Sequence, residues 1–145
     1  MKAVLQRVSR AEVRVDGTVR AGIGPGVVIL LGVMRGDGAQ EARRLAERCA
    51  RLRYFSDDDG RMNRSIREVC GSALVVSQVT LAADGRKGRR PSLDGAAPPA
   101  RAQELYRAFS AHLAAQGVAT ETGVFGARME VELVNDGPVT LILER

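Results

Sequence analysis

Apolar and polar positions alternate along the first part of the chain in the manner of strands. Residues 5–8 and 12–15 alternate with a period of two, which is typical of half-buried β-strands. Asp16-Gly17 favours a hairpin turn, so residues 18–23 are expected to return antiparallel. Residues 27–33 are almost entirely apolar, which predicts a further strand. The chain is therefore expected to begin with strands joined by short turns.

Two helices are predicted by apolar residues at helical spacing. The first is expected over residues 39–52, with Asp37 as N-cap and Gln40 three residues later, as in a capping box. The second opens at Pro98-Pro99, since proline is tolerated in a first helical turn, and closes at Gly117. Each helix carries one apolar stripe that it must bury, formed by Ala42, Leu45, Ala46, Cys49 and Leu52 in the first helix and by Ala102, Leu105, Tyr106, Phe109 and Leu113 in the second.

The remaining apolar segments predict strands that complete a sheet. Residues 73–79 are mostly apolar, whereas residues 118–122, 129–134 and 139–143 alternate. The sequence thus predicts an α+β fold in one domain over residues 1–145, with two main helices on a mostly antiparallel, barrel-like β-sheet.

Composition and charge narrow the class of protein. The 45% apolar and 27% charged fractions are ordinary for a globular chain of 145 residues. No stretch approaches the ~20 apolar residues of a membrane span, and no signal-peptide core is present, which predicts a cytoplasmic protein. The net charge of +5, carried almost entirely by arginine, favours a polyanionic partner. With two Tyr, three Phe and no Trp, an extended base-stacking platform is not expected, so RNA would be bound through its backbone and its end.

Several catalytic and cofactor sites are excluded by residue content. His112 is the only histidine, and no acidic cluster lies near it in the sequence. Cys49 and Cys70 do not have metal-ligand spacing, and Cys49 falls on the apolar stripe of the first helix. The sequence therefore predicts no Ser-His-Asp or Cys-His arrangement, no metal and no cofactor. An enzyme built from this chain would use hydroxyls, amides, backbone N–H groups and groups of its substrate.

Two segments supply such groups. Residues 77–81 leave a buried strand with three polar side chains, which are equally typical of an ordinary strand end. Residues 135–140 contain Asn, Asp, Gly and Pro, which favour a turn. A proline directly after a tight turn removes a donor from the next strand, however. The alternative is that Gly137-Pro138 presents a rigid surface to a ligand.

Together with three further segments, these two give the chain a resemblance to the D-aminoacyl-tRNA deacylase family of the bacterial and eukaryotic type. The resemblance extends over nearly the whole chain. The segments that carry the resemblance are residues 3–9, 77–81, 84–92, 122–129 and 135–140. It implies a homodimer, with an active site at the subunit interface, that hydrolyses the ester bond of D-aminoacyl-tRNA. Glycine misattached to alanine tRNA is implied as a further substrate, and no DNA or membrane partner is expected.

The resemblance also implies roles for individual residues. Gly137-Pro138 would carry a cis peptide bond and reach into the partner's pocket, where its carbonyls would exclude an L side chain. Arg7 and Asn135 would support that segment. The ester carbonyl would be polarised by N–H groups near Val79 and Thr80, with Thr80 orienting rather than attacking. The remaining implied contacts are ribose or the amino group for Ser77 and Gln78, the adenine pocket for Phe125, Gly126, Ala127 and Met129, and acceptor-stem phosphates for Arg86, Lys87, Arg89 and Arg90.

Two positions depart from the family's pattern. The family usually has Phe where this chain has Val79, and an aromatic residue where it has Ala82. Both lie in or beside the first motif, so the finer substrate preference stays open. Two other functions remain as alternatives: an RNA-binding module that uses the basic loop alone, and a dimeric scaffold whose Gly-Pro segment is only an interface element.

Overall fold

Eight strands, two helices and a short 3₁₀ turn occupy residues 1–86 and 88–145, which are the residues that this computed structural model describes. The elements are, in chain order, β1 (Lys2–Val15), β2 (Thr18–Ile23), β3 (Gly26–Gly32), α1 (Ala39–Arg51), β4 (Arg53–Ser56), β5 (Met62–Ser65), β6 (Ser72–Ser77), the 3₁₀ turn (Val79–Ala82), α2 (Pro99–Ala115), β7 (Ala119–Thr122) and β8 (Glu130–Glu144). In the part of the chain described, neither helix is both long and apolar enough to cross a membrane.

The main sheet is organised around the long strand β1. The first half of β1 pairs with β3, its second half pairs with β2, and β8 runs along its opposite edge, all antiparallel. Strands β3, β6 and β7 continue the sheet in parallel. The predicted α+β fold, with two helices on a mostly antiparallel barrel-like sheet, is confirmed, and the parallel pairs are an addition to it.

The sheet buries apolar side chains on both faces. One face packs against α1 and α2, with Leu5, Ile29 and Phe109 among its fully buried residues. The other face forms a second cluster that includes Val28 and Leu74. Because β3 and β6 are covered on both faces, they consist of nearly continuous apolar runs. Each such side chain contributes about 1.5–3 kcal/mol when fully buried.

The predicted cap of the first helix is wrong. The N-cap of α1 is Gly38, whose N–H donates to the Glu41 carboxylate at 2.9 Å, so Gln40 takes no part in a capping box. The carboxylate of Asp37 instead lies 2.6 Å from the amino group of Met1. This contact between distant parts of the chain competes with the local cap and explains the difference.

Two strand boundaries also differ from the prediction. The strand expected over residues 73–79 ends at Ser77, and the chain then enters the 3₁₀ turn. The strands expected on either side of residues 135–140 form the single strand β8, so the turn interpretation of that segment is wrong. Pairing with β1 continues on both sides of the segment, with register shifts between Gln6 and Arg10 that accommodate it.

Candidate functional site

A pocket of about 340 Å³ opens at the carboxyl ends of the parallel strands β3 and β6. Ligands commonly bind in the crevice outside the carboxyl ends of parallel strands, because the loops that follow them diverge there. Four groups of residues line the pocket: Leu31 and Val33 at the end of β3, Ser77, Gln78 and Val79 at the end of β6, Ala97, Pro99, Ala102 and Tyr106 just before and in the first half of α2, and Phe125, Gly126, Ala127 and Met129 before β8.

The turn after β6 forms one side of the pocket. The Gln78 N–H donates to the Leu31 carbonyl at 2.8 Å, which fixes the end of β6 against β3. Val79 and Thr80 are the first two residues of the 3₁₀ turn, and the first N–H groups of a helix have no acceptor within it. The Gln78 side-chain amide lies 2.5 Å from Thr80 Oγ1. Ser77, Gln78 and Val79 therefore line the pocket, whereas the Thr80 side chain is exposed and its hydroxyl contacts the Gln78 side chain.

The opposite wall is aromatic and held by α2. The rings of Tyr106 and Phe125 lie 5.6 Å apart between centroids. Tyr106 Oη donates to the Val75 carbonyl at 2.8 Å, and burial raises the pKa of Tyr106 to about 12. Sequence reasoning placed Tyr106 only in the buried stripe of α2. Its second role, as part of the pocket wall, is indicated in the sequence only by its position two helical turns after Pro99, which also lines the pocket.

The predicted adenine-pocket residues are brought together by the segment before β8. Phe125, Gly126, Ala127 and Met129 all line the pocket. Gly126 has φ of +76°, a conformation that glycine adopts readily, and the Ala127 N–H donates to the Val124 carbonyl at 3.2 Å. The segment is therefore a tight turn against the end of β6.

The pocket wall contains amides, hydroxyls and apolar groups, and Tyr106 is the one ionisable side chain among its described residues. A tyrosine with a raised pKa stays protonated at neutral pH and does not act as a base there. Cys49 is buried in the core, where desolvation raises the pKa of its thiol to about 12, so it is not a nucleophile. The arrangement suits a reaction that needs binding and carbonyl polarisation rather than proton transfer by a side chain.

The described basic residues of the loop after the 3₁₀ turn do not line the pocket. Asp84 and Ser92 exchange two backbone hydrogen bonds, at 2.8 and 2.9 Å, and close this loop. Arg86, Arg89 and Arg90 on it are exposed, whereas Lys87 lies outside the described residues.

Gly137 and Pro138 lie in the middle of β8 and are joined by a cis peptide bond, as the resemblance implies. Both residues are exposed, and neither is among the residues that line the pocket of the same chain. Gly137 has φ of +118°, which L side chains rarely adopt. The Gly-Pro segment and the pocket are thus separate features of one protomer.

Arg7 of β1 and Asn135 of β8 both contact the chain beside the Gly-Pro segment. Asn135 Nδ2 donates to the carbonyls of Arg7 at 2.8 Å and Val139 at 3.1 Å. The Arg7 side chain is 11% exposed, and its Nη1 donates to the Tyr54 carbonyl at 2.9 Å. Arg7 Nε also lies 3.0 Å from the Asp136 carboxylate, but the angle between them is not that of a hydrogen bond. The guanidinium therefore links the core strand β4 to this segment.

Comparisons with known proteins agree with this architecture. The family model described as "D-Tyr-tRNA(Tyr) deacylase" matches residues 4–144. The "D-aminoacyl-tRNA deacylase" of Anaeromyxobacter dehalogenans is 58% identical, covering 99% of this chain and 97% of the relative. That of Ruegeria pomeroyi is 56% identical, covering 99% of each.

Two solved structures share the fold. One is described as "c-Myc DNA Unwinding Element Binding Protein", with a TM-score of 0.93 and 37% identity over 100% of this chain and 99% of that one. The other is described as "Structural Analysis of a probable eukaryotic D-amino acid tRNA deacylase", with a TM-score of 0.84 and 17% identity over 98% of this chain and 97% of that one, and it supports the fold alone. The chain belongs to the D-aminoacyl-tRNA deacylase family, whose members are hydrolases that act on aminoacyl-tRNA.

Proposed function

We propose that this chain hydrolyses the ester of D-aminoacyl-tRNA in the cytoplasm and excludes the L form sterically. We also propose that it removes glycine misattached to alanine tRNA. The observation that carries the proposal is the mainly apolar pocket. It has an aromatic wall on one side and, on the other, the 3₁₀ turn, whose first N–H groups have no acceptor within the turn. Its volume of about 340 Å³ suits a small ligand such as an aminoacylated adenosine. An aminoacyl ester is already activated, so polarising its carbonyl is the main catalytic requirement.

The terminal adenosine would lie against Phe125, Gly126, Ala127 and Met129, and the ester carbonyl would face the 3₁₀ turn. The N–H groups of Val79 and Thr80 would stabilise the developing oxyanion, a contribution of about 2.7–4 kcal/mol per donor in other enzymes. Ser77 and Gln78 would contact the ribose or the amino group, and the 2′-hydroxyl of the adenosine would help to activate the water. No metal or cofactor enters this scheme.

Selection between D and L substrates would come from a second copy of the chain. In a homodimer, the carbonyls of Gly137 and Pro138 would enter the partner's pocket and face the substrate α-carbon. A D side chain would point away from them, an L side chain would collide, and glycine would pass. Steric rejection suits this task, because a hydrophobic pocket gains only about 1–3 kcal/mol per methylene by attraction.

The open side of β8 supports the dimer. Val131, Val134 and Ile142 are 36%, 42% and 68% exposed, so β8 presents apolar side chains to solvent. In the described residues β8 pairs with β1 on one edge only. A second copy packed against β8 would cover part of this apolar surface and bring Gly137 and Pro138 to the pocket of the other chain.

Arg86, Lys87, Arg89 and Arg90 would hold the phosphates of the acceptor stem. Contacts of this kind do not depend on sequence and weaken as salt rises. They would add affinity for tRNA but would leave the D/L choice to the pocket.

The direct test compares D- and L-aminoacyl-tRNA carrying the same amino acid, in the presence of a chelator. Release of the D-amino acid, with the L ester spared and with glycine released from alanine tRNA, is the expected result. Equal cleavage of both forms would refute the steric selection, and cleavage of neither would refute the reaction. Sedimentation of the same preparation measures whether the active species is a dimer.

We expect Thr80→Val to keep kcat/KM within about tenfold of the unchanged chain, because it removes one hydroxyl contact and no N–H group. Thr80→Ser, which keeps the hydroxyl, is the matched control. A nucleophilic Thr80 would instead give a loss of about 10⁴-fold or more in the valine variant only. Single-turnover deacylation of D-aminoacyl-tRNA separates the two outcomes.

A further inference from the structure

A second cavity of about 400 Å³ adjoins the candidate pocket. The two cavities share Tyr106 and Phe125, so the aromatic pair separates one from the other. Its other lining residues are Gln103, Arg107 and Ser110 on α2, and Thr122, Gly123 and Val124 at the end of β7. We call this cavity the side groove.

The side groove combines a cation with neutral polar and apolar groups. Gln103 and Arg107 are four residues apart on α2 and therefore face the same side of the helix. Arg107 is exposed and forms no ion pair with the described residues. Thr122 adds an exposed hydroxyl, and Val124 is 40% exposed. A guanidinium is suited to phosphate because its planar donors match the phosphate oxygens.

Two other cavities differ from the side groove in position or charge. One contains Arg51, Arg53 and Arg67 but lies beside Gly117, at the far end of α2 from the candidate pocket. Another is lined by the carboxylates of Asp37, Glu41 and Glu144 together with Lys2 and Arg145, and it shares no lining residue with the candidate pocket. Of these cavities, only the side groove shares lining residues with the candidate pocket and has an arginine but no carboxylate among its lining residues.

We propose that the side groove binds the nucleotide that precedes the terminal adenosine in the single-stranded 3′ end of tRNA, an inference that rests on the proposed function. With the adenosine against Phe125 in the pocket, its 5′-phosphate must lead out towards the next nucleotide. The groove across the same wall offers Arg107 to that phosphate. Phe125 and Val124 offer apolar surface to the base, and Gln103 offers a side-chain amide to its edge.

The test uses two non-hydrolysable ligands: an amide analogue of D-aminoacyl-adenosine, and the same compound extended by one 5′ cytidylate. We expect the unchanged chain to bind the extended ligand about tenfold more tightly, as measured by calorimetry. In Arg107→Ala the gain should fall below about twofold while the Kd of the short ligand stays unchanged. The plot of log Kd against log salt should be steeper for the extended ligand by about 0.7, and Arg107→Ala should remove that difference.

Arg67→Ala is the matched control, because it removes the same charge from an exposed site at the far end of α2. It should keep the full gain, and Arg107→Lys should keep part of it. A gain absent from the unchanged chain, or one that persists in Arg107→Ala, would overturn the side-groove assignment. The proposed function itself would be refuted by a different result, in which the unchanged chain neither binds the short ligand nor hydrolyses D-aminoacyl-tRNA. That result would also overturn the side-groove assignment.

Discussion

Replacing Gly137 with alanine is expected to lower kcat/KM for D-aminoacyl-tRNA by about 100-fold or more. A Cβ built on Gly137 would lie 2.9 Å from Val139 Cγ2, 3.0 Å from Arg7 Nη2 and 3.1 Å from the Val139 backbone nitrogen. The φ of +118° is strained for any L side chain as well. The Gly-Pro segment must therefore shift, and a displacement of about 1 Å at a substrate-positioning group can cost about 100-fold.

Gly60→Ala is the control for this prediction. Gly60 also has a positive φ, +78°, in the turn between β4 and β5, but its Cβ would meet open space. It should lower the free energy of unfolding by about 1 kcal/mol or more and leave kcat/KM unchanged. Rates on D- and L-aminoacyl-tRNA and thermal unfolding, measured for both variants, separate the effects. An active Gly137→Ala protein would show that the segment does not position the substrate.

Mixing experiments test whether the partner supplies this segment. Ala127→Trp should block the pocket, because the indole would project into a space of about 340 Å³ that Ala127 lines. If each site combines one chain's pocket with the other's Gly137, mixed dimers of the two inactive variants contain one intact site. Random exchange should then restore about one quarter of the original activity, as two-fold symmetry requires. No recovery would mean that each site is built from a single chain.

Alternation in the sequence predicted the antiparallel part of the sheet, because strands with one buried face place apolar residues at every second position. It did not predict that β6 pairs in parallel with β3 and β7. A continuous apolar run reports burial on both faces but contains no information on direction or partner. Parallel pairing nevertheless positions the site, since it brings Leu31 and Ser77 to the same end of the sheet.

The candidate site, like the fold, was only partly predictable from the sequence. Residue types in segment 135–140 favour a turn, and only pairing with β1 makes it part of a strand. The polar end of β6 was visible in the sequence, whereas the helical N–H turn after it was not, because Val79 and Leu81 continue the apolar run. Tyr106 could not be distinguished from a core residue, since one side chain serves both the core and the pocket wall.

Replacing Arg7 with alanine is expected to lower the free energy of unfolding by about 2–3 kcal/mol, together with a roughly tenfold to 100-fold loss of kcat/KM. The guanidinium donates to the Tyr54 carbonyl, and truncation leaves that buried acceptor without this donor. The same side chain packs against Gly137 and lies beside Asp136, so the Gly-Pro segment also loses its support. Denaturant unfolding and deacylation rates on D-aminoacyl-tRNA measure the two effects.

Asp136→Asn separates the two roles of Arg7. The Asp136 side chain is 56% exposed, so solvent screens its ion pair, and the variant should cost less than about 1 kcal/mol of stability. Arg7→Lys keeps the charge but cannot reproduce the planar donor pattern. Its deacylation rate should therefore be closer to that of Arg7→Ala than the rate of Asp136→Asn is. If Asp136→Asn instead matched Arg7→Ala in both stability and rate, the ion pair rather than the Tyr54 hydrogen bond would be the contact that positions the Gly-Pro segment.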